Sequence, residues 1–430
     1  MERPHLATRR EMLLASGALF AWAYMPSLAQ AEGRDPRFLV IVLRGALDGL
    51  ATVAPVGDPN WVRLRGNDAL LTGGESAALP LNSLFALNPA MPNLYRMYKA
   101  GQATIVHAVA SPYRERSHFD GQDVLESGLT KAGGDTGWLN RALAGLKTSD
   151  RVAGKDTFVV GPITPLIARG SAPVLSWTPS RLQPAGSDTL ARLLDLYRHT
   201  DPMLARALEE RNALAAIASG GVDEIGYGPK PGGPLLVYFT EAASGAARFM
   251  ARSDGPRVGA LAFDGWDTHA NEGAAHGRLS VLLGALDGAL AAIEGGMGAA
   301  WKETVVAVIT EFGRTARING TDGTDHGTAT VALLAGGALK GGRVIADWPG
   351  VADAALYQGR DLKPTTDLRA VMKGILRDHL RADERALAQH VFPDSEPVKS
   401  LDGLMAHGPC LVPKFSKRSF TAELIWASRS

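Results

Sequence analysis

The sequence predicts an α/β protein built on a mixed, mostly parallel sheet that is flanked by helices and carries a helical insertion. Apolar runs of strand length, rich in β-branched residues and bounded by glycine and polar clusters, alternate with helical stretches along most of the chain. This alternation is typical of a sheet covered by helices on both faces. Because ligands of such sheets collect beyond the carboxyl ends of parallel strands, charged residues that follow a strand are candidates for chemistry.

Seven apolar runs are predicted as strands, at 38–43, 103–109, 157–160, 173–177, 258–263 and twice within 305–335. Helices are predicted at 91–99, from Ser117 onward, and at about 188–218, 240–253 and 272–294. Ser117 stands three residues before Asp120, which has the form of a capping box and predicts that a helix opens there.

The chain divides into three parts. We expect an export segment at 1–31, one α/β domain at 34–395 with a helical insertion at about 185–220, and a C-terminal extension at 396–430. The chain has 430 residues, 46% of them hydrophobic and 21% charged, which is ordinary for a globular protein. A formal net charge of +1 argues against a nucleic-acid partner or a membrane surface found through bulk electrostatics. Cys410 is the only cysteine, so no disulfide within the chain is expected.

The N-terminus has the pattern of a targeting segment. Arg9 and Arg10 precede an uncharged stretch that ends in Ala29-Gln30-Ala31, a small-x-small cleavage pattern. The arginine pair resembles a twin-arginine signal, which predicts passage through the twin-arginine translocase to the bacterial periplasm. A retained membrane anchor is the alternative. No later run has the 18 or more apolar residues that a span needs, so the mature form is expected to be soluble, without a stable membrane span.

Three short motifs carry candidate metal ligands. In an extended loop Asp267 and His269 would point the same way and could grip one ion. Asp325 and His326 are adjacent and suit two neighbouring ions or one ion with a hydrogen-bonded support; a solvated acid and a buried histidine bonded to main chain are the alternative. Glu311, at a predicted strand end, could bind metal.

Two arginine-bearing motifs suggest contacts to an anionic substrate. Arg314 lies three residues after Glu311 and is either an anion clamp or its plain ion-pair partner. Ser117 is the best candidate nucleophile, because a helix start offers free N–H groups and a positive dipole end, to which Arg114, Arg116 and His118 add positive character. A plain capping serine is the alternative reading.

Several common motifs are absent from the sequence. There is no Walker loop, no Rossmann glycine fingerprint, no His-Glu-x-x-His and no Gly-x-Ser-x-Gly elbow. These absences argue against nucleotide hydrolysis, dinucleotide-dependent chemistry, and zincin or lipase activity.

In combination the motifs resemble a known exported bacterial family, domain of unknown function 1501, over about residues 34–393. The motifs are the twin-arginine segment, Arg44-Gly-Ala-Leu-Asp48, Arg116-Ser117-His118, Asp267-Thr-His269, Glu311-Phe-Gly-Arg314 and Asp325-His326-Gly. The family is grouped with the alkaline phosphatase and sulfatase superfamily, whose members carry metal ligands and a nucleophile at a helix start. The resemblance implies an alkaline phosphatase-like fold.

The resemblance also implies roles for particular residues. Ser117 would be the nucleophile, helped by Arg314, while Arg44, Arg116 and His118 would contact substrate. The metal ligands would be Asp48, Asp267, His269, Glu311, Asp325 and His326. The sequence departs from the superfamily pattern in the position of Asp48, in the close spacing of Asp267 and His269, and in Glu311-Phe312 standing where Asp-His is usual.

We therefore expect an exported hydrolase or transferase for phosphate or sulfate esters that uses one or two divalent ions, which would be zinc, magnesium, calcium or manganese. Its substrate would be a small anionic ester or a glycan-derived molecule. The incomplete ligand pattern supports a different hypothesis, a non-catalytic periplasmic binding or scaffold protein. A redox or cofactor-carrying protein is a third hypothesis, suggested by the export route alone.

Overall fold

A central sheet of nine strands forms the middle of the protein in a computed structural model, which describes residues 34–146, 157–178 apart from 162, parts of 193–209, and 234–406. Its strands are Arg37–Arg44 (β1), Ala103–Ala110 (β5), Thr157–Val160 (β6), Val174–Trp177 (β7), Val258–Asp264 (β8), Thr304–Thr310 (β9), Thr330–Ala335 (β10), Arg343–Ile345 (β11) and Thr366–Asp367 (β12). A second sheet pairs Val53–Ala54 (β2), Leu79–Pro80 (β3) and Ala86–Leu87 (β4), within a stretch that the sequence predicts as loop.

The main sheet is mixed and mostly parallel, which confirms the predicted fold class. Its strand order is β11-β5-β10-β9-β1-β8-β6-β7, with β12 beside β5. Six of the strand pairings are parallel; the two antiparallel pairings both involve β10. Strand β10 thus runs against its neighbours. For this reason the residues just before β10 lie at the same edge of the sheet as those just after β1, β5, β8 and β9.

Helices cover both faces of the sheet. They are Gly49–Thr52 (α1), Trp61–Arg65 (α2), Pro92–Lys99 (α3), His118–Ser127 (α4), Trp138–Ala144 (α5), Pro234–Ala251 (α6), Arg278–Met297 (α7), Leu368–Leu380 (α8) and Glu384–Ala386 (α9). Shorter turns are the 3-10 helices Gly66–Asp68, Leu166–Ala168, Gly298–Glu303 and Asp353–Ala355 and the π-helix Leu387–Val391.

Alternate side chains of β1 enter two separate cores. Leu39, Ile41 and Leu43 pack with α3, α6 and α7, whereas Phe38 and Val40 pack with α5 and α8. This period of two is what a strand buried on both faces requires, and it explains why its sequence reads as one apolar run.

One predicted helix start and one predicted helix cap differ from the structure. The long helix predicted from residue 272 begins at Arg278, because Gly277 before it has φ of +132°, outside the helical region. Helix α4 begins after Ser117 as predicted, but the Ser117 side chain makes no capping hydrogen bond. The capping-box prediction is therefore wrong, while the helix position is right.

The predicted export segment and most of the predicted insertion at 185–220 fall outside the described residues, as does the chain beyond residue 406. Residues 396–406 belong to the predicted extension, yet part of them packs on the domain: Lys340 N donates to Leu404 O at 2.9 Å, and Leu404 and Met405 are buried in the core.

Helix α7 and the turn after it, Arg278–Glu303, are long and apolar enough to cross a membrane by length and composition, and half of the apolar window is buried inside the protein. Asp287 in the middle of α7 is also buried and accepts hydrogen bonds from Asn93 N at 3.0 Å and Leu94 N at 2.8 Å at the start of α3. These contacts are those of a helix in a protein core.

Candidate metal centre

Three histidines and one aspartate meet beyond the carboxyl edge of the main sheet. His326 Nε2 lies 2.9 Å from His118 Nε2 and 2.9 Å from His269 Nε2. Asp267 Oδ1 lies 3.1 Å from His269 Nε2, 3.4 Å from His326 Nε2 and 3.5 Å from His118 Nε2. His118, Asp267 and His326 thereby form a group of side chains with the spacing of metal ligands.

Each histidine is oriented by a partner on its other ring nitrogen. His118 Nδ1 faces Glu311 Oε1 at 2.8 Å, His269 Nδ1 faces Asp325 Oδ1 at 3.2 Å, and His326 Nδ1 faces Arg116 O at 2.9 Å. A carboxylate or a carbonyl oxygen can only accept, so in a neutral ring each Nδ1 carries the proton. All three Nε2 atoms then present lone pairs, which is the arrangement that metal-binding histidines show.

The Nε2 lone pair of His326 faces those of His118 and His269 across 2.9 Å, which is repulsive unless a cation lies between them. A tetrahedral zinc ion with bonds of about 2.0–2.1 Å separates its ligand atoms by about 3.3 Å. The observed separations of 2.9–3.5 Å bracket that value. Imidazole nitrogens with one carboxylate oxygen suit zinc and neighbouring transition metals better than magnesium or calcium. The donor set therefore fits a divalent transition-metal ion.

The ligands come from three segments at one edge of the sheet. His118 is the first residue of α4, Asp267 and His269 lie in the loop after β8, and His326 precedes β10. Gly323 and Gly327 permit close backbone approach: a Cβ there would lie 2.3 Å from the His269 carbonyl group and 2.4 Å from that of Arg314. Neither position needs φ above zero, so the glycines serve packing.

Glu311 is fully buried at the end of β9, behind His118, and accepts several hydrogen bonds. Its Oε1 accepts from Gly45 N at 2.8 Å and Gln122 Nε2 at 3.3 Å as well as from His118, and its Oε2 accepts from the Thr310 hydroxyl at 2.9 Å. The structure thus places Glu311 behind the candidate ligand His118, with Oε1 bonded to the ring nitrogen that faces away from the centre.

Arg314 is buried and supports Asp267. Its NH1 donates to Asp267 Oδ1 at 2.6 Å, its Nε donates to Thr324 Oγ1 at 3.0 Å, and its NH2 donates to Thr324 O. The side chain has no solvent exposure. A substrate cannot reach it, so the expectation that Arg314 clamps substrate directly is corrected: its donors are used inside the protein. The alternative ion pair with Glu311 is not formed either.

Burial and neighbouring charges shift the pKa values of the cluster in different directions. Burial alone would raise the pKa of Asp267, but its hydrogen bond with Arg314 and the arginine's charge outweigh burial and lower it, so the carboxylate is anionic. Burial lowers the pKa of His326. The hydrogen bond that His118 donates to Glu311 raises the pKa of His118, so a metal ion binding there would displace a proton.

Asp48 does not join the cluster. It is buried at the start of α1, where its Oδ1 accepts from Leu50 N at 2.9 Å and Ala51 N at 3.1 Å, and its Oδ2 pairs with Arg65 NH1 at 2.6 Å. The expectation that Asp48 binds metal is corrected for a physical reason: helix N–H groups and a guanidinium already satisfy its oxygens.

The remaining predicted residues lie around the centre. Arg44 pairs with Glu126 at 2.7 Å, and Arg116 pairs with Asp361 at 2.7 Å. Ser117 stands between Arg116 and His118 and is half-buried. Asp325 Oδ1 faces His269 Nδ1 at 3.2 Å, on the side of the ring away from the other candidate ligands.

Two features of the centre were missed by the sequence analysis. His118 was expected to contact substrate, yet its Nε2 lies among the candidate ligands. Arg360 and Asp361 were not singled out; Asp361 is buried, and Arg360 NH1 donates to His326 O at 2.8 Å. Neither Arg360 nor Asp361 follows a predicted strand. A search for charged residues at strand ends therefore could not find them.

Comparison with known proteins gives distant structural neighbours and one family. No curated protein matches the chain. Similar solved structures include a phosphonate monoester hydrolase of Agrobacterium radiobacter, with a TM-score of 0.32, 12% identity, and coverage of 81% of this chain and 74% of that one. The PsFucS1 sulfatase from Pseudoalteromonas sp. has a TM-score of 0.34, 12% identity, and coverage of 79% and 69%.

The zinc complex of the C-terminal periplasmic domain of EcEptC from Escherichia coli has a TM-score of 0.30, 11% identity, and coverage of 71% and 74%. These likenesses are too distant to bear on substrate or metal. The sequence match is firmer: the family described as "Protein of unknown function (DUF1501)" matches residues 97–391, well over half of the chain. The protein therefore belongs to the DUF1501 family.

Proposed function

We propose that this protein is an exported, metal-dependent hydrolase or transferase that acts on phosphate or sulfate esters. The observation that carries the proposal is that His326 Nε2 lies 2.9 Å from both His118 Nε2 and His269 Nε2, with Asp267 Oδ1 within 3.5 Å of all three nitrogens. The proposed ligands are His118, His269, His326 and Asp267. Export through the twin-arginine route rests on the sequence of the first 31 residues.

One ion per chain fits the contacts better than two. Asp48 pairs with Arg65, Glu311 with His118, and Asp325 with His269, so each of these three carboxylates already has a partner within the protein. Zinc is the ion we expect from the donor set. Bound there, it would polarise an ester oxygen and lower the pKa of a hydroxyl group beside it.

Ser117 is the residue we propose as nucleophile. It directly precedes His118 at the start of α4, and its hydroxyl is not used to cap that helix. The first N–H groups of α4 and the positive end of its dipole would stabilise negative charge on an ester group near the serine. Attack by the serine oxygen would release the alcohol and leave the phosphoryl or sulfuryl group on the serine until water removes it.

The first experiment measures metal in protein purified without chelator. We expect about one transition-metal ion per chain in the wild type, and almost none in a variant in which His118 and His326 are changed to alanine. His276→Ala is the matched control, because this exposed histidine bonds Ser76 at 2.5 Å, away from the cluster. No metal in correctly folded wild-type protein would contradict the proposal.

Turnover of phosphate and sulfate esters is then measured on the metal-loaded protein. Ser117→Ala should lower kcat by at least about 10³-fold, while Ser76→Ala, at a similarly half-buried serine, should retain full activity. Full activity of Ser117→Ala would remove the serine from the mechanism without affecting the metal centre.

A second candidate function is a metal-stabilised binding protein without catalysis. It is favoured by the number of protein ligands, since four protein donors are typical of closed structural zinc sites, whereas catalytic sites keep a position open. Full metal occupancy, a large loss of thermal stability on chelation, and no turnover of any ester would support this function over hydrolysis.

A further inference from the structure

We propose that Arg360, held beside Arg116 by Asp361, forms a binding site for the anionic oxygens of the substrate next to the metal centre. The inference rests on the proposed function, because it names the residue that would recognise the phosphate or sulfate group. It gives Arg360 the role that the sequence analysis gave to Arg314.

The two arginines share one buried carboxylate. Asp361 Oδ2 accepts from Arg116 Nε at 3.0 Å and from Arg116 NH2 at 2.7 Å, and Asp361 Oδ1 accepts from Arg360 NH1 at 3.0 Å. Asp361 has no solvent exposure. Two positive charges against one negative charge leave this group of three side chains with a net charge of +1, facing solvent on the arginine side.

Both arginines also contact the same proposed metal ligand. Arg116 O accepts from His326 Nδ1 at 2.9 Å, and Arg360 NH1 donates to His326 O at 2.8 Å. The positive group is therefore bonded to the main chain and the ring of a proposed ligand, Arg360 through its guanidinium and Arg116 through its carbonyl oxygen. An ester oxyanion bound to a metal at His326 would lie near these guanidinium groups.

The backbone around the group is tightly fixed. Arg360 O accepts from Ala316 N at 3.1 Å, so the segment is bonded to the chain that follows Arg314. Arg116 and Gln358 have φ of +64° and +55°, a left-handed conformation that is costly for residues other than glycine. Gln358 Oε1 accepts from Arg116 NH2 at 2.8 Å. Arg116 and Gln358 thus both have a left-handed backbone and are bonded to each other, which indicates that the fold holds their side chains in place.

Arg360 has hydrogen-bond donors to spare. Its side chain is 41% exposed, and within the described part of the chain its Nε and NH2 atoms have no hydrogen-bond partner. Nε–H and NH2 form the side of the guanidinium that binds two oxygens of a phosphate or sulfate at once. Arg314, by contrast, uses Nε, NH1 and NH2 inside the protein.

Binding of inorganic phosphate and of sulfate to the metal-loaded protein, measured by calorimetry, tests this inference. Arg360→Gln should weaken binding by about 10- to 100-fold. Arg360→Lys should give an intermediate loss, because lysine keeps the positive charge but cannot donate two parallel hydrogen bonds. Arg317→Gln is the matched control: Arg317 is 44% exposed, contacts Gly359 O at 3.2 Å and pairs with Asp353, away from His326. It should bind phosphate within about twofold of the wild type.

Metal content of each variant separates this inference from the proposed function. We expect full metal content in all three variants. Equal phosphate affinity in Arg360→Gln and Arg317→Gln would overturn the inference, as would wild-type protein that binds neither anion. Loss of metal from both Arg360 variants would also overturn it, since Arg360 would then only support His326. A wild type without metal would contradict the proposed function, while phosphate binding by the same variants would still decide the role of Arg360.

Discussion

The histidines of the candidate centre are set by the groups behind them. Glu311, Asp325 and the Arg116 carbonyl each hold one Nδ1, and His118 Nε2 and His269 Nε2 both lie 2.9 Å from His326 Nε2. Such partners fix the tautomer and the ring direction, and they raise the basicity of the ligand. Glu311 is buried, and its contacts join the turn after β1 and helix α4 to the end of β9.

Glu311→Gln should weaken metal affinity by about 10- to 100-fold, because the amide still accepts from His118 but removes the negative charge that strengthens the ligand. Competition with a chromophoric chelator measures the affinity. Glu303→Gln is the control: Glu303 precedes β9 at the opposite end of the same strand and pairs with Arg34 at 3.3 Å. Equal affinities for the two variants would show that Glu311 has no influence on the metal.

At the scale of elements, the direction of β10 decides which residues meet. His326 precedes its strand, whereas Glu311 and the Asp267 loop follow theirs. Only an antiparallel β10 places all of them at one edge. Helix α1 shows the opposite case: Asp48 follows β1 at the same edge, but its oxygens are taken by the α1 N-terminus and by Arg65.

Asp48→Asn should destabilise the protein by about 3 kcal/mol and leave metal content unchanged, because it leaves the buried Arg65 without its anionic partner. Both side chains are 1% exposed. Denaturant unfolding and elemental analysis give the two readouts. Adding Arg65→Met should restore part of the stability, since it removes the unpaired charge. If the Asp48→Asn variant lost its metal but kept its stability, Asp48 would be a metal ligand after all.

For the molecule as a whole, one buried acid links the centre to folding stability. Glu272 Oε2 accepts from Thr324 Oγ1 at 2.6 Å; the same Thr324 oxygen accepts from Arg314, which holds Asp267. Glu272 Oε1 is buried without a partner among the described residues. Burial, and next the charge of Asp48, raise the pKa of Glu272 to about 8. Glu272 is therefore protonated in the folded protein near neutral pH.

The raised pKa predicts a pH-dependent stability. Below about pH 4.5, Glu272 is protonated in the folded and in the unfolded protein. Between about pH 4.5 and 8 only the folded protein keeps this proton. The free energy of unfolding therefore falls as pH rises through this range, by up to roughly 1.4 kcal/mol per pH unit. The Glu272→Gln variant has no titrating group at this position, so it lacks this decrease in stability. In metal-free protein, denaturant unfolding from pH 5 to 8 should show its stability relative to wild type growing with pH. A constant or shrinking difference would contradict the prediction.

Local sequence determined the strands, their apolar faces and the motifs that follow them. Periodicity and bounding glycines are properties of a few neighbouring residues, and they gave β1, β5, β8 and β9 close to their observed bounds. Asp267, His269 and His326 were singled out because their residue types and positions near strand ends needed no knowledge of packing. The family could also be recognised from such motifs.

Tertiary structure alone decided the partners of these side chains. The sequence does not show which group a carboxylate will contact. Asp48 contacts a guanidinium, Glu311 contacts an imidazole N–H, and Asp267 lies in the candidate centre. Likewise Arg314 is fully buried while Arg360 is 41% exposed, a difference that the residue type does not reveal. The convergence of His118 with His326 joins residues more than 200 positions apart. Such convergence depends on strand order and direction, which no local pattern encodes.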